Sequence, residues 1–159
     1  MSIIPGRMTT QLNQDFVVFL IGMRINKFWR LGQWWPVAQS MPRMIQELEK
    51  NPDSGFLGSE QWLGRTTIMV QYWESFEKLE TYARDPNAEH YPNWVRFNKL
   101  VRASGAVGVW HETYQIAAGK HESIYVNMPV FGLGKVSKST TVTDSLDQAR
   151  QRLQNAPKL

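Results

Sequence analysis

The chain contains three histidines, His90, His111 and His121, and no cysteine. Histidine can act near neutral pH as an acid, a base or a metal ligand. The absence of cysteine excludes disulfides, thiolate metal ligands and cysteine nucleophiles. His111 lies in a strand-like segment whose alternation places it on the same side as Val107 and Val109. It is a candidate catalytic base, and the alternative is a buried, hydrogen-bonded structural histidine.

Arg24 is a candidate binding residue because it ends a strongly apolar segment, where a cation must be paired or close to the surface. A guanidinium there could bind a carboxylate or an oxyanion of a substrate. The alternative is an ion pair with Glu112 or Glu74. His90 precedes a predicted helix, where it is either an acid or base at a pocket entrance or a surface residue.

Seven tryptophans in 159 residues is a high number that needs an explanation. They occur on several predicted elements, so they could converge on a cavity for a flat or lipophilic ligand. A densely packed core is the alternative interpretation. The predicted substrate-binding set comprises Trp34, Trp35, Trp73, His90, Trp94 and Met128, the last as a polarisable wall residue.

The net charge of +4 is unevenly distributed, with +3 of it in residues 119–159. No dense cluster of Lys and Arg is present, so we predict no nucleic-acid partner. No apolar run is long enough to span a bilayer, and no signal segment opens the sequence. We therefore expect a cytoplasmic protein without a membrane partner.

The elements that position these residues follow a strand–helix–strand–strand–helix–strand order. A first strand at 16–24 is apolar on both sides, and a hairpin at 56–62 and 66–73 follows a helix. Pro42 within that helix predicts a kink or two short helices. The order predicts an α+β, ferredoxin-like βαββαβ sandwich. Because helices cover one face of such a sheet, the doubly apolar first strand predicts a homodimer packed through the other face.

The remaining elements are a strand from residue 105 to 114, another from 123 to 128, and a glycine-rich loop at 131–134. We expect one ferredoxin-like domain over residues 1–135. Residues 136–159 are expected to form a C-terminal extension with a short helix.

Several segments together resemble a known family. They are Ile4–Met8, Phe16–Asn26, Met41–Met44, Gly55–Gly58, Gln71–Trp73, Tyr82–Asp85, Gly108–Tyr114 and Tyr125–Pro129. The set resembles the small proteins similar to the fumagillin-pathway monooxygenase. That family belongs to the dimeric α/β-barrel superfamily, alongside antibiotic-biosynthesis monooxygenases. It is also distantly similar to haem-containing aldoxime dehydratases.

The resemblance implies a ferredoxin-like protomer, a two-sheet dimer and a pocket between sheet and helices. It also implies oxidation of a hydrophobic or aromatic small molecule, in some relatives without metal or flavin. In that chemistry a substrate carbanion reacts with dioxygen. We expect His111 as the base, Arg24 as the oxyanion partner and Asn127 as a hydrogen-bond donor.

Two other functions remain open at the level of sequence. A haem-dependent dehydratase or oxygenase would need an axial ligand, which His90, His111 or His121 could supply. The expected cofactor is therefore either none or haem. A non-catalytic protein would keep a hydrophobic ligand pocket but would need no acid or base.

Overall fold

The computed structural model describes residues 2–88, 91, 95, 97 and 104–154. In the described residues, seven strands form two sheets, and the two longer helices pack on one face of the larger sheet. The strands are β1 (Ile4–Gln11), β2 (Phe16–Ile25), β3 (Phe56–Trp62), β4 (Ile68–Trp73), β5 (Val107–Ile116), β6 (Tyr125–Met128) and β7 (Lys138–Thr141). The helices are α1 (Leu31–Lys50), α2 (Phe76–Arg84) and α3 (Ala149–Gln154).

The larger sheet is antiparallel with the order β3-β4-β2-β5. Its strands alternate with α1 and α2 in the chain, so the arrangement is the split βαββαβ of the ferredoxin-like fold. The predicted α+β, ferredoxin-like class is therefore confirmed. The predicted hairpin is also present, with β3 and β4 paired from Phe56 opposite Trp73 to Trp62 opposite Ile68.

The smaller sheet has the order β6-β1-β7 and was only partly anticipated. β6 matches the strand predicted to end at Met128, but β1 and β7 were not predicted. β7 pairs with β1 from Met8 opposite Thr141 to Gln11 opposite Lys138. Polar, threonine-rich strands carry a weak sequence signal, since neither apolar alternation nor a continuous apolar run identifies them.

α1 is one uninterrupted helix that contains both Pro36 and Pro42, so of the two alternatives expected at Pro42 the pair of short helices does not form, and a kink stays a prediction. An internal proline costs about 3 kcal/mol. The two ends of α1 pack on separate apolar clusters, Trp34 on one and Leu48 on the other. Packing on both sides of Pro42 offsets the lost hydrogen bond.

α2 begins directly after Ser75, whose hydroxyl caps the helix by accepting a hydrogen bond from the Lys78 backbone N–H at 3.2 Å. The helix predicted to start at Pro92 lies largely outside the described residues. In the described part of the chain, no helix is both long and apolar enough to cross a membrane.

Candidate functional site

His111 lies in the middle of β5, opposite Ile21 of the central strand β2. Strand alternation turns its side chain toward the helices, on the same side as Val107 and Val109, as the sequence predicts. Its imidazole lies 5.7 Å from the Phe19 ring, measured between centroids. The side chain is exposed, so the interpretation as a buried structural histidine is wrong.

The apolar core beneath the helices is divided into two clusters. One contains Val17, Leu48, Trp73 and Leu79, and the other contains Met23, Ile25 and Val107. Between them along β2 lie Phe19 and Ile21, which are only partly buried. Because His111 pairs with Ile21, it lies between the two apolar clusters along the direction of the strands.

His111 is the one ionisable side chain at the helix-facing positions of the four strands β2 to β5. Its neighbours on the helix-facing side of β5 are the half-exposed Val109 and the exposed Thr113. Neither of its ring nitrogens has a hydrogen-bond partner among the described residues. A basic group beside exposed apolar surface can remove a proton from a bound apolar molecule.

The tryptophans divide between core and surface. Trp73 is fully buried at 0% exposure, its indole N–H donates to the Gln71 Oε1 at 3.0 Å, and its ring packs on Phe56 and Tyr82. It is therefore a core residue with no face open to a ligand. Trp34 is partly buried against the second cluster, and Trp35 is half-exposed.

Arg24 does not lie near His111. Its side chain leaves the opposite face of the sheet, and its guanidinium donates to the Thr66 Oγ1 at 2.6 Å. The alternative of an ion pair with Glu112 or Glu74 is not found among the described residues either. Glu112 instead accepts a hydrogen bond of 2.6 Å from the Tyr114 hydroxyl.

Asn127 and Met128 both lie on β6, in the other sheet. Asn127 adopts a φ of 51°, a conformation that asparagine tolerates better than most residues. Its Oδ1 accepts a hydrogen bond of 2.9 Å from the Gly6 N–H, so the side chain ties β6 to β1. Met128 pairs with Ile4 across the same ladder. Neither residue shares the helix-facing side with His111.

His90 and Trp94 lie outside the described residues. His121, by contrast, is held in place. Its Nε2 accepts a hydrogen bond of 3.3 Å from the Leu12 N–H, and its ring meets Phe16 edge-on at 5.1 Å. Burial lowers the pKa of His121, because the charged form loses solvation.

A polar cluster on the opposite face of the large sheet was missed by sequence reasoning. The Glu60 carboxylate accepts hydrogen bonds from the Gly132 N–H at 3.0 Å and from Lys135 Nζ at 2.8 Å. Burial raises the pKa of Tyr72 to about 12, with further contributions from Tyr125 and Glu60. The members are distant in sequence and share no motif, so no local pattern could have identified them.

This cluster also fixes the glycine-rich segment at residues 131–134. Residues Gly132–Lys135 form a tight 3-10 turn that packs on the face away from the helices. It therefore does not cover His111.

Three comparisons place the chain among known proteins. The family model described as Monooxygenase af470-like matches residues 16–133, well over half of the chain. The curated protein Monooxygenase af470 of Aspergillus fumigatus is 29% identical over 147 residues, covering 83% of this chain and 51% of that protein.

Two solved structures of aldoxime dehydratases share the fold. One, in complex with butyraldoxime, has a TM-score of 0.68 at 13% identity and covers 89% of this chain and 44% of that chain. The other has a TM-score of 0.64 at 16% identity, and the match covers 94% of this chain and 44% of that chain. The chain thus spans about half the length of these relatives, and identities this low show the fold alone. The match over residues 16–133 shows that the chain belongs to the Monooxygenase af470-like family.

Proposed function

We propose that the chain is a monooxygenase-type oxidoreductase that oxidises a hydrophobic or aromatic small molecule on the helix-facing side of the large sheet. The observation that carries the proposal is the position of His111. It is the one ionisable group on the helix-facing side of the four strands, it lies against Phe19, and its ring nitrogens have no partner among the described residues. Membership of a monooxygenase-like family supports the same reaction class.

In the proposed reaction, His111 removes a proton from a CH2 group acidified by a neighbouring carbonyl or aromatic ring. The carbanion reduces dioxygen and forms a carbon–oxygen bond, which gives a hydroperoxide after protonation. Loss of the second proton then breaks the oxygen–oxygen bond. One oxygen atom remains as a ketone and the other leaves as water, so dioxygen accepts all four electrons and no further reductant is required.

Phe19, Ile21 and Val109 support this chemistry by providing an apolar surface beside the base. A substrate bound on this surface would displace water from it, which strengthens electrostatic interactions and protects a reactive carbanion. In this proposal, Arg24 and Asn127 of the same protomer do not reach the reacting atoms, since they lie on the other face and in the other sheet.

The experiment measures oxygen consumption and ketone formation with an anthrone as the probe substrate. We expect the H111Q variant to lose about 10²–10⁴-fold in turnover. H121Q is the matched control, since His121 is engaged with Leu12 and Phe16, away from the helices. Undiminished turnover in H111Q would overturn the mechanism. Binding of the anthrone by both proteins without turnover would support the non-catalytic alternative.

A haem-dependent enzyme is a second candidate, favoured by the free ring nitrogens of His111. Of the two histidines that the structure describes, His121 has its Nε2 engaged, so His111 is the one of these two that would hold the iron, and His90 lies outside the described residues. Haem bound there would supply iron for dehydration or oxygen activation. The test is an absorption spectrum of the purified protein. A Soret band that H111A loses and H121A keeps would favour haem over the cofactor-free reaction.

We further infer that two copies pair through the face opposite the helices. Val18, Leu20 and Val70 lie near the centre of that face, yet they remain partly exposed in one protomer. Central strand positions are normally buried on both sides when a second layer covers them. Light scattering should give the mass of a dimer, and L20E should shift it to that of a monomer. A native monomer would contradict this inference.

A further inference from the structure

Five large apolar side chains that are each more than half exposed lie in two segments. One segment runs from the end of β2 through the first two turns of α1, and the other is the tip of the β3–β4 hairpin. Trp29 is 78% exposed and Leu63 is 81% exposed. We define the aromatic tip as Phe28, Trp29, Leu31, Trp35 and Leu63, each more than half exposed. Outside these two segments, Ile3 and Val126 are the only large apolar side chains that reach the same exposure in the described part of the chain.

The two segments form one surface because they are held together directly. The Arg65 guanidinium lies over the Phe28 ring, 5.5 Å from its centroid. The Ile25 N–H donates to the Arg65 carbonyl at 2.8 Å, and the Arg65 Nε donates to the Ile25 carbonyl at 3.3 Å. These contacts place the hairpin tip beside the start of α1.

The charged residues within these two segments are all cations. Lys27, Arg30 and Arg65 flank it, and no Asp or Glu occurs in residues 16–46 or 61–73. None of the four ion pairs found among the described residues involves these three cations. The first turn of α1 also carries no acidic residue, so the positive end of the helix dipole adds to the same field.

This combination identifies the partner by its chemistry. Exposed Trp, Phe and Leu between Lys and Arg are typical of surfaces that insert into the headgroup region of a bilayer. Uncompensated cations select anionic headgroups.

We propose that the aromatic tip docks the protein on the surface of an anionic lipid bilayer. Contact at the interface needs no spanning helix, but it departs from the sequence-based expectation of no membrane partner. It can be tested separately from the proposed oxidation, because Trp35 is the one tip residue in the predicted substrate-binding set and the variants below leave it unchanged.

The experiment measures co-sedimentation of the full chain with vesicles of phosphatidylcholine alone or mixed with phosphatidylglycerol. We expect binding to the mixed vesicles, weakened by salt. The W29S/L63S variant should lose at least about tenfold in binding, because it removes two apolar side chains from the interface. Each of R30Q and R65Q should lose about fivefold.

Matched controls separate the tip from apolar exposure in general. I3S and V126S remove exposed apolar side chains beside and within the small sheet, and they should bind within about twofold of the native protein. W29L keeps an apolar side chain, so it should retain most of the binding. Brominated lipids quench the fluorescence of a tryptophan that enters the bilayer, and W29L should show less of this quenching because it lacks Trp29.

Either of two results would overturn the proposal. One is that the native protein fails to bind the mixed vesicles at low salt, and the other is that W29S/L63S binds them as well as the native protein does. In the second case, a fall in the solution mass of W29S/L63S would show that a second copy covers the tip. Circular dichroism of each variant excludes unfolding as the cause of lost binding.

Discussion

His111 and Arg24 lie on the same pair of strands, but their side chains leave opposite faces of the sheet. His111 pairs with Ile21, and Arg24 pairs with Gly108, so the two positions are three residues apart on each strand. An odd spacing in a strand reverses the direction of the side chain. A single site therefore cannot use both residues of one protomer.

This separation predicts unequal effects of substitution. H111Q should lose about 10²–10⁴-fold in turnover, whereas R24Q should lose less than about tenfold. The reason is that Arg24 contacts Thr66 rather than the apolar surface around His111. Steady-state rates with the anthrone probe compare the two. Equal losses would show that Arg24 reaches the reacting atoms through an arrangement that a single protomer does not contain.

Gly22 should be intolerant of any side chain. A Cβ at this position would collide with the Thr67 carbonyl oxygen and would lie 2.7 Å from the Trp110 indole nitrogen. We expect G22A to lower the free energy of unfolding by about 1–3 kcal/mol, as overpacking of a closed site does. Urea denaturation measures the change.

Gly32 provides the matched control for that experiment. It lies in the first turn of α1, and a Cβ there would have no atom within 4 Å. Alanine favours a helix over glycine by about 0.5–1 kcal/mol. G32A should therefore be neutral or stabilising, and a loss similar to that of G22A would contradict the steric explanation.

His121 should make the stability of the fold depend on acidity. Burial lowers its pKa below the usual 6.5, so the unfolded chain binds a proton more readily than the folded chain. Stability should therefore fall as the pH drops below about 6.5, until the folded form is protonated as well. Protonation of Nε2 would also remove the acceptor for the Leu12 N–H.

The measurement is urea denaturation of the native protein and H121Q across this acidic range. The glutamine side chain can still accept from Leu12 but does not titrate. We expect a flatter dependence for H121Q, and identical curves would show that His121 does not control it.

Tyr72 should destabilise the fold in alkali. Its pKa is raised from 10.0 to about 12, first by burial and then by Tyr125 and Glu60. Between these values the unfolded chain loses the phenolic proton while the folded chain retains it, so stability falls as the pH rises. Y72F should reduce this loss. In a titration followed by tyrosinate absorbance, Y72F should show one fewer tyrosine that ionises well above pH 10. A titration curve identical to that of the native protein would show that the late-ionising tyrosine is not Tyr72.

The sequence predicted the large sheet because its strands carry strong signals. β2 is a long apolar run, β3 and β4 meet at a glycine-containing turn, and α2 has a serine cap. The direction of His111 followed from simple alternation along β5. The boundary expected after residue 135 and the homodimer stay predictions.

The sequence could not show which candidates meet in space. Grouping Arg24 and Asn127 with His111 required the relation between two faces and two sheets, which depends on tertiary packing rather than local pattern. Similarly, Trp73 and Trp35 look alike in composition, yet one is fully buried and the other half-exposed. Their environments depend on what covers each position.

The pairing of β1 with β7 has a consequence for the order of folding. Met8 and Thr141 are 133 positions apart, yet they are neighbours across this ladder. Closing so long a loop lowers the chain entropy, and this cost is offset only once the strand contacts have formed. The large sheet, whose strands all precede residue 117, can assemble during synthesis before β7 leaves the ribosome. We therefore expect the small sheet to form last and to exchange its amide hydrogens first.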